Sequence, residues 1–514
     1  MRGTLPAMSL LDRIERAGNA LPDPSTLFVV GALLVMVLSH VAVLTDWEVT
    51  KTVTRDGAQV QEVVRAQSLL TSDGLYWSVE SLVVNFKDFP PLAIVLVGML
   101  GIGLADRTGM IGAFLKASLL AVPPAALTPT VFLVGVVSSL ALDAGYVVLT
   151  PVAAALYTAV GRSPLAGLAA VFAGVSAGFS ANLMVTSLDA ILAGFSQAGA
   201  QILDPAYEVV PTANLSFMIV STFLLTGVGW AVTALWVEPR LSRKAPEDGG
   251  PVAAASAEEQ TLTDTERRGL RRSGLAVLAV LLVYVLATWI PGAPLHGDEG
   301  RFPRWVAAII PLIFLGFLVP GLVYGFSVGR LKSDRDIAGV MGETMSAMGP
   351  YIVLAFFAAQ FVAYFRHSGL GEMLAISGGQ VLASADLPTP VLILAFVGVV
   401  MVGNLFIGSM SAKYAFFAPV FVPMFMTVGI SPELTQAAYR VGDSVTNVIT
   451  PLNPYMVILL VFLRQWVPKG GIGTLMALMV PYAVAFGLAW SALLVVWMLL
   501  GIPLGEGGPL AYTP

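Results

Sequence analysis

The chain has 514 residues, 57% of them hydrophobic and 11% charged, with a mean hydropathy of +0.83 and a net charge of −5. These values exclude an ordinary soluble domain and indicate a multi-span membrane protein whose first partner is lipid. The lack of cysteine excludes disulfides, thiolate metal sites and a cysteine nucleophile, and no basic motif points to nucleic acid.

A membrane span takes about 20 mostly apolar residues. Such windows occur at 26–45, 91–106, 213–236, 274–290, 305–325, 349–365 and 473–501, and the regions 127–200 and 388–463 are apolar but interrupted. The first window follows Arg13 and Arg16 and lacks a clean small-residue cleavage site, so it is expected to persist as the first helix, with a cytoplasmic N-terminus. Residues 237–273 form a long polar linker between an N-terminal membrane half (1–236) and a C-terminal one (274–514). Arg240, Arg243, Lys244, Arg267, Arg268, Arg271 and Arg272 lie near its ends and place it in the cytoplasm; Arg330, Lys332 and Arg335 mark another cytoplasmic loop. Thr263 and Glu266 have capping-box spacing at the start of the next helix. Four crossings before the linker and five after it give nine spans, with the loop at 46–88 outside.

The halves share a repeat, about 90–200 in the first and 349–465 in the second. "RTGMIGAFL" from Arg107 parallels "RHSGLGEML" from Arg366, and "LTPTVFL" from Leu127 parallels "LPTPVLIL" from Leu387. Tyr146, Pro151, Gly161, Ser163, Pro164, Gly174 and Ser176 each have an identical residue 268 positions later, at Tyr414, Pro419, Gly429, Ser431, Pro432, Gly442 and Ser444. The spans before Arg107 and Arg366 run in opposite directions, so the repeats are inverted. Inverted repeats are a common plan of secondary transporters, with sites near the midplane where broken helices meet.

The segments 129–163 and 390–431 are interrupted by "SSLALDAGY" and "GNLFIGSMSAKY" and suit two re-entrant hairpins. Each is followed by a second polar break, "SANLMVTSLD" at 180–189 and "DSVTNVITPLNP" at 443–454, where Pro451 and Pro454 must break the helix. Ser180, Asn182, Thr446 and Asn447 carry the hard neutral oxygens that suit a sodium ion, while exposed helix N-termini suit an anionic substrate group. Packing between helices through Ser, Thr and Asn is the bland alternative for any one of them. Asp143, Asp189, Lys413, Arg440 and Asp443 fall in or beside the breaks, and buried charges of this kind need partners or a task. Arg440 and Asp443, spaced i, i+3, could simply neutralise each other.

An enzyme would need a nucleophile–base or metal constellation. The three histidines His40, His296 and His367 supply no ligand-spaced pair, and no phosphate-binding loop is present. A channel is the third class open to a polar midplane.

The stretch from Gly403 to Tyr455, "GNLFIGSMSAKYAFFAPVFVPMFMTVGISPELTQAAYRVGDSVTNVITPLNPY", resembles the AbgT family of p-aminobenzoyl-glutamate transporters, with similarity running from Leu11 to about Leu500. The resemblance implies an all-α integral membrane protein with about nine transmembrane helices and two re-entrant hairpins per subunit of a homodimer in the bacterial inner membrane. It also implies an anionic aromatic substrate such as p-aminobenzoyl-glutamate, or proton- or cation-linked export of sulfonamide antimetabolites. Asn404, Pro432, Arg440 and Asp443 match functional positions of the family, and Asp189 in "VTSLDA" matches an acidic one in the first repeat. "SMSAKYA" departs from the family's usual "SGSAKWA": Tyr414 stands for a substrate-path tryptophan and Met410 for a glycine.

Overall fold

The computed structural model describes residues 24–55, 58–141, 145–252, 261–299, 302–450, 452–453, 455–468 and 470–513. Long apolar stretches must satisfy their backbone groups internally once water is gone, which favours helix throughout. The first half contains α1 (Pro24–Leu44), a hairpin of β1 (Glu48–Arg55) and β2 (Ala58–Arg65), α2 (Ser72–Glu80), α3 (Leu82–Lys87) and α4 (Pro90–Arg107). It continues with α5 (Met110–Leu120), α6 (Leu127–Val137), α7 (Thr150–Ala159), α8 (Pro164–Ala177), α9 (Ser187–Ala200) and α10 (Leu215–Val232), which runs on to Leu241. The second half begins with α11 (Asp264–Trp289), capped by Thr263 and Glu266 as their spacing predicts. A short ladder of β3 (Asp298–Glu299) and β4 (Phe302–Pro303) leads to α12 (Ile309–Ser327), α13 (Asp334–Ala347), α14 (Gly349–His367) and α15 (Leu370–Ser384). Then come α16 (Thr389–Gly403), α17 (Met410–Met426), α18 (Pro432–Thr446), α19 (Tyr455–Trp466) and α20 (Ile472–Leu500).

Seven helices among the described residues are long and apolar enough to cross a bilayer, namely α1, α4, α10, α11, α12, α14 and α20. Each coincides with one of the seven apolar windows. The expected count of nine is not reached by continuous helices, because the rest of the apolar chain lies in shorter pieces. α5 and the segment carrying α6 meet at 117°, at Pro123 and Pro124, which cannot continue a helix.

Both interrupted segments contain pairs of short helices; a non-helical break is described in the second, and in the first α6 passes into a 3-10 turn at Ser138–Ala141. In the first, α6 ends at Val137 and helix resumes at Gly145; Asp143 lies outside the described residues. In the second, α16 ends at Gly403 and α17 begins at Met410. The turns that follow match at the 268-residue spacing: Gly161 and Gly429 have φ of 71° and 80°, and Ser163 and Ser431 precede Pro164 and Pro432 at the first position of α8 and α18.

The β-hairpin is the element the apolar windows do not register. Its signal is the alternation of Val49, Val53, Val60 and Val64, which pair across the two strands. Val49 is buried against Met373 and Ile376 of α15.

α8 and α18 lie at the centre, and every residue of both is buried. α8 packs on α6 and α7, and α18 on α16, α17 and α20, while α9 crosses from α4 to α17. α8 is almost wholly apolar. α18 instead buries Glu433, Thr435, Gln436, Arg440, Asp443, Ser444 and Thr446, so it must find its polar partners inside the protein.

Candidate functional site

The site is built around α18 and the two breaks that flank it. Arg440, 1% exposed, reaches across to the first repeat: its Nη2 lies 2.7 Å from Asp189 Oδ1, and its Nη1 donates to the Ser180 carbonyl at 3.3 Å. Asp189 sits in the first turn of α9, where its other oxygen accepts from the Thr186 N–H and hydroxyl at 2.7 and 2.8 Å. A carboxylate at a helix N-terminus is favoured by the helix dipole, so the first repeat offers Arg440 a well-held anion. Among the described residues, the Arg440 Nε has no hydrogen-bond partner, and neither do Gln436 Nε2 and Ser444 Oγ. These three stand at i−4, i and i+4 along one face of α18.

Asp443, one turn from Arg440, pairs elsewhere. Its Oδ1 lies 2.5 Å from Nζ of Lys413, and neither side chain is exposed. Lys413 also donates to Asn404 Oδ1. Asn404 Nδ2 faces the Asp443 carbonyl, Thr446 Oγ1 and Asn447 Oδ1 at 2.8, 2.8 and 2.9 Å. The i, i+3 pair that spacing allowed between Arg440 and Asp443 is therefore replaced by two pairs to other helices. Two buried charges on one helix are thus paired with two different neighbours, α9 and α17.

The four oxygen donors expected to share a sodium ion divide between two clusters. Asn182 Nδ2 donates to Ser139 Oγ at 2.9 Å while its Oδ1 accepts from the Leu183 N–H at 2.8 Å, and the Ser180 hydroxyl points to Met410 Sδ at 3.7 Å. Thr446 and Asn447 gather round Asn404. The physical reason is that each break closes on polar groups within its own reach. Ser176 of α8 meets the second of these, its carbonyl accepting from Asn447 Nδ2 and its hydroxyl from Asn453 Nδ2, both at 3.4 Å. Among the described residues, no group of three or more acidic or histidine side chains gathers to hold a metal.

Tyr414 is fully buried. Its hydroxyl donates to Ser196 Oγ at 2.6 Å, and Ser196 passes the bond to Gln436 Oε1 at 2.8 Å. Its ring is 4.2 Å from that of Tyr439, so in this conformation another tyrosine covers the face expected to meet substrate. The repeat-related Tyr146 stacks on Tyr455 at 4.0 Å. The Met410 carbonyl accepts the Tyr439 O–H at 2.6 Å. Pro432 starts α18, next to the cap that Ser431 gives to Leu434 N–H at 3.0 Å. Pro451 lies outside the described residues.

Four participants carry no assignment from sequence. Lys413 is visible only as a charge at depth. Gln436 and Ser196 give no signal beyond being polar. Glu433, wholly buried, accepts from the Tyr207 hydroxyl at 3.0 and 3.2 Å, a partner separated by 226 residues.

Beside the site lies an apolar cavity of about 900 Å³ between α11, α12 and α5, whose wall includes Leu183, Met184 and Val185, the residues after Asn182.

Comparisons with known proteins agree over nearly the whole chain. Residues 9–512 match the model of the AbgT putative transporter family. The chain is 34% identical over 502 residues to the p-aminobenzoyl-glutamate transport protein of Escherichia coli K12, covering 96% of this chain and 95% of that protein. The crystal structure of the Alcanivorax borkumensis YdaH transporter superposes with a TM-score of 0.87 at 43% identity, covering 94% of this chain and all of that one. Neisseria gonorrhoeae MtrF, described as illuminating a class of antimetabolite efflux pumps, gives 0.90 at 38% identity, covering 98% and 100%. A multi-pass helical chain with charges paired at the breaks of its central helices, matched end to end by such relatives, belongs to the AbgT transporter family and is a membrane transport protein rather than an enzyme.

Proposed function

We propose that the protein carries p-aminobenzoyl-glutamate or related aromatic antimetabolites, sulfonamides among them, across the bacterial inner membrane, driven by a proton or sodium gradient. In this reading it works as a homodimer with a cytoplasmic N-terminus. The names of its relatives support the substrate class, and the observation that carries the mechanism is Arg440. A buried guanidinium held by one carboxylate, with Nε unbonded, is a site where a substrate carboxylate can take hydrogen bonds that the protein leaves unmade.

Transport then requires the Asp189–Arg440 bridge between the two repeats to yield to the substrate anion. Asp443 and the oxygens of Ser180, Asn182, Thr446 and Asn447 supply charge and ligands for the coupling ion. The apolar cavity beside Leu183–Val185 suits the aromatic end of the substrate. Tyr414 meets that ring once it parts from Tyr439, a contact worth about 0.5–1.5 kcal/mol beyond area burial. The test is uptake and export of radiolabelled p-aminobenzoyl-glutamate in proteoliposomes, with pH and sodium gradients imposed separately. Concentrative flux under one of them supports the reading. Flux that only equilibrates, or that no gradient alters, rejects it.

A further inference from the structure

Each half of the chain follows its last span with a matched loop. α10 runs on to Leu241 and α20 ends at Leu500, and "DGGPV" from Asp248 parallels "EGGPL" from Glu506 at a spacing of 258 residues. The first glycine of each pair, Gly249 and Gly507, has a positive φ, 92° and 72°, so the likeness extends to the backbone. Both loops fold back as straps over the turn that starts a central helix. The Ser163 hydroxyl, just before α8, donates to the Gly249 carbonyl at 2.7 Å, and the Ser431 hydroxyl, just before α18, donates to the Pro509 carbonyl at 2.6 Å.

The second strap is bonded along its length. The Ser431 N–H donates to the Leu510 carbonyl at 3.2 Å and the Tyr512 N–H to that of Gly429 at 2.9 Å, while the Thr212 hydroxyl and the Phe217 N–H donate to the Glu506 and Leu504 carbonyls, both at 2.9 Å. The Tyr512 ring stands edge-on to that of Tyr207, centroids 5.7 Å apart, and the Tyr207 hydroxyl donates to Glu433. What lies beneath the two straps differs. Glu433, Gln436 and Arg440 share one face of α18, and their counterparts 268 residues earlier on α8 are Leu165, Leu168 and Phe172. All six are buried. Water enters a buried space that offers it polar partners and stays out of an apolar one, so α18 alone of the two needs shielding from the face at which it begins.

We propose that residues 504–512 are a water seal over the polar face of α18, whereas the strap at 245–250 covers a helix that stays dry without it. The seal keeps water and ions at that face of the membrane from running along Glu433 and Gln436 to Arg440 outside the transport cycle. The inference rests on the reading of α18 as the helix that carries the transport site, and it is independent of which substrate is carried.

The experiment follows a single thiol in this cysteine-free chain. Gln436→Cys is placed in the full-length protein alone, with Gly508→Ala, and with Gly250→Ala. A Cβ on Gly508 would overlap the Ala213 carbonyl oxygen and one on Gly250 that of Lys244, so each alanine loosens its own strap. Sealed membrane vesicles are treated with an impermeant thiol reagent on the side from which Thr427→Cys, an exposed position beside the same turn, reacts. Gln436→Cys is expected to react about tenfold faster with Gly508→Ala, as though local opening cost about 1.4 kcal/mol less, and at its original rate with Gly250→Ala. An unchanged rate in a folded Gly508→Ala protein overturns the inference, as does an equal gain with Gly250→Ala. Should Gly508→Ala not fold, Tyr512→Ala, which uncovers the Tyr207 ring, takes its place under the same criteria. No substrate is used, so a lack of p-aminobenzoyl-glutamate flux in the wild type would defeat the substrate reading and leave the seal standing.

Discussion

Arg440 and Asp443 stand one turn apart on α18, a spacing that on an exposed helix yields a weak pair. Inside the protein each has a different partner, Asp189 at 2.7 Å and Lys413 at 2.5 Å. Breaking a buried pair by removing one member typically costs about 3–5 kcal/mol, because the other charge is left uncompensated. Asp443→Asn should therefore lower the thermal midpoint of the purified protein and abolish gradient-driven flux. Adding Lys413→Met should return most of the stability without the flux. Recovery of both would reduce the pair to a structural contact. Tyr414→Ala should weaken p-aminobenzoyl-glutamate binding about tenfold, equivalent to about 1.4 kcal/mol, while Tyr414→Trp retains it; unchanged affinity in a folded alanine variant removes the stacking role. The acidic and basic members of these pairs are legible in the sequence as charges inside apolar segments. Which pairs with which is not, because Asp189 and Arg440 meet only through the packing of α9 against α18.

At the scale of helices, the seven continuous spans and both broken segments follow from apolar length and polar interruption. The β-hairpin at 48–65 escapes a search for long windows, although alternating valines announce it. Two glycines matched at the 268-residue spacing mark close approaches between helices. Gly174 on α8 and its counterpart Gly442 on α18 each face a neighbouring backbone. A Cβ on Gly442 would lie 2.6 Å from the Val397 carbonyl oxygen of α16, whereas one on Gly174 would lie 3.3 Å from that of Phe132 of α6. Backbone cannot yield as a flexible side chain does, and overpacking of this kind costs about 1–3 kcal/mol. Gly442→Ala should accordingly be the more destabilising of the two in thermal unfolding under identical detergent conditions. The reverse order would mean that the α16–α18 contact is looser than its geometry indicates.

For the whole molecule, inversion of the two repeats makes opposite predictions for two matched turns. Ile430, the counterpart of Arg162, is buried and bridged to Ala511, and Arg162 is tied to Glu238 at 2.5 Å, so exposed neighbours are the better reporters. In this cysteine-free chain, Val160→Cys should react with an impermeant thiol reagent only from the cytoplasm and Thr427→Cys only from outside; both lie at exposed positions. Reaction of both from one side contradicts the inversion. The central claim is that a substrate anion is captured by Arg440 as the bridge to Asp189 opens, and counterflow tests it most directly. Proteoliposomes loaded with unlabelled p-aminobenzoyl-glutamate should accumulate the radiolabelled compound saturably with the wild type, and more than tenfold less with Arg440→Gln, corresponding to a loss above about 1.4 kcal/mol. A correctly folded Arg440→Gln protein that supports undiminished counterflow would contradict it.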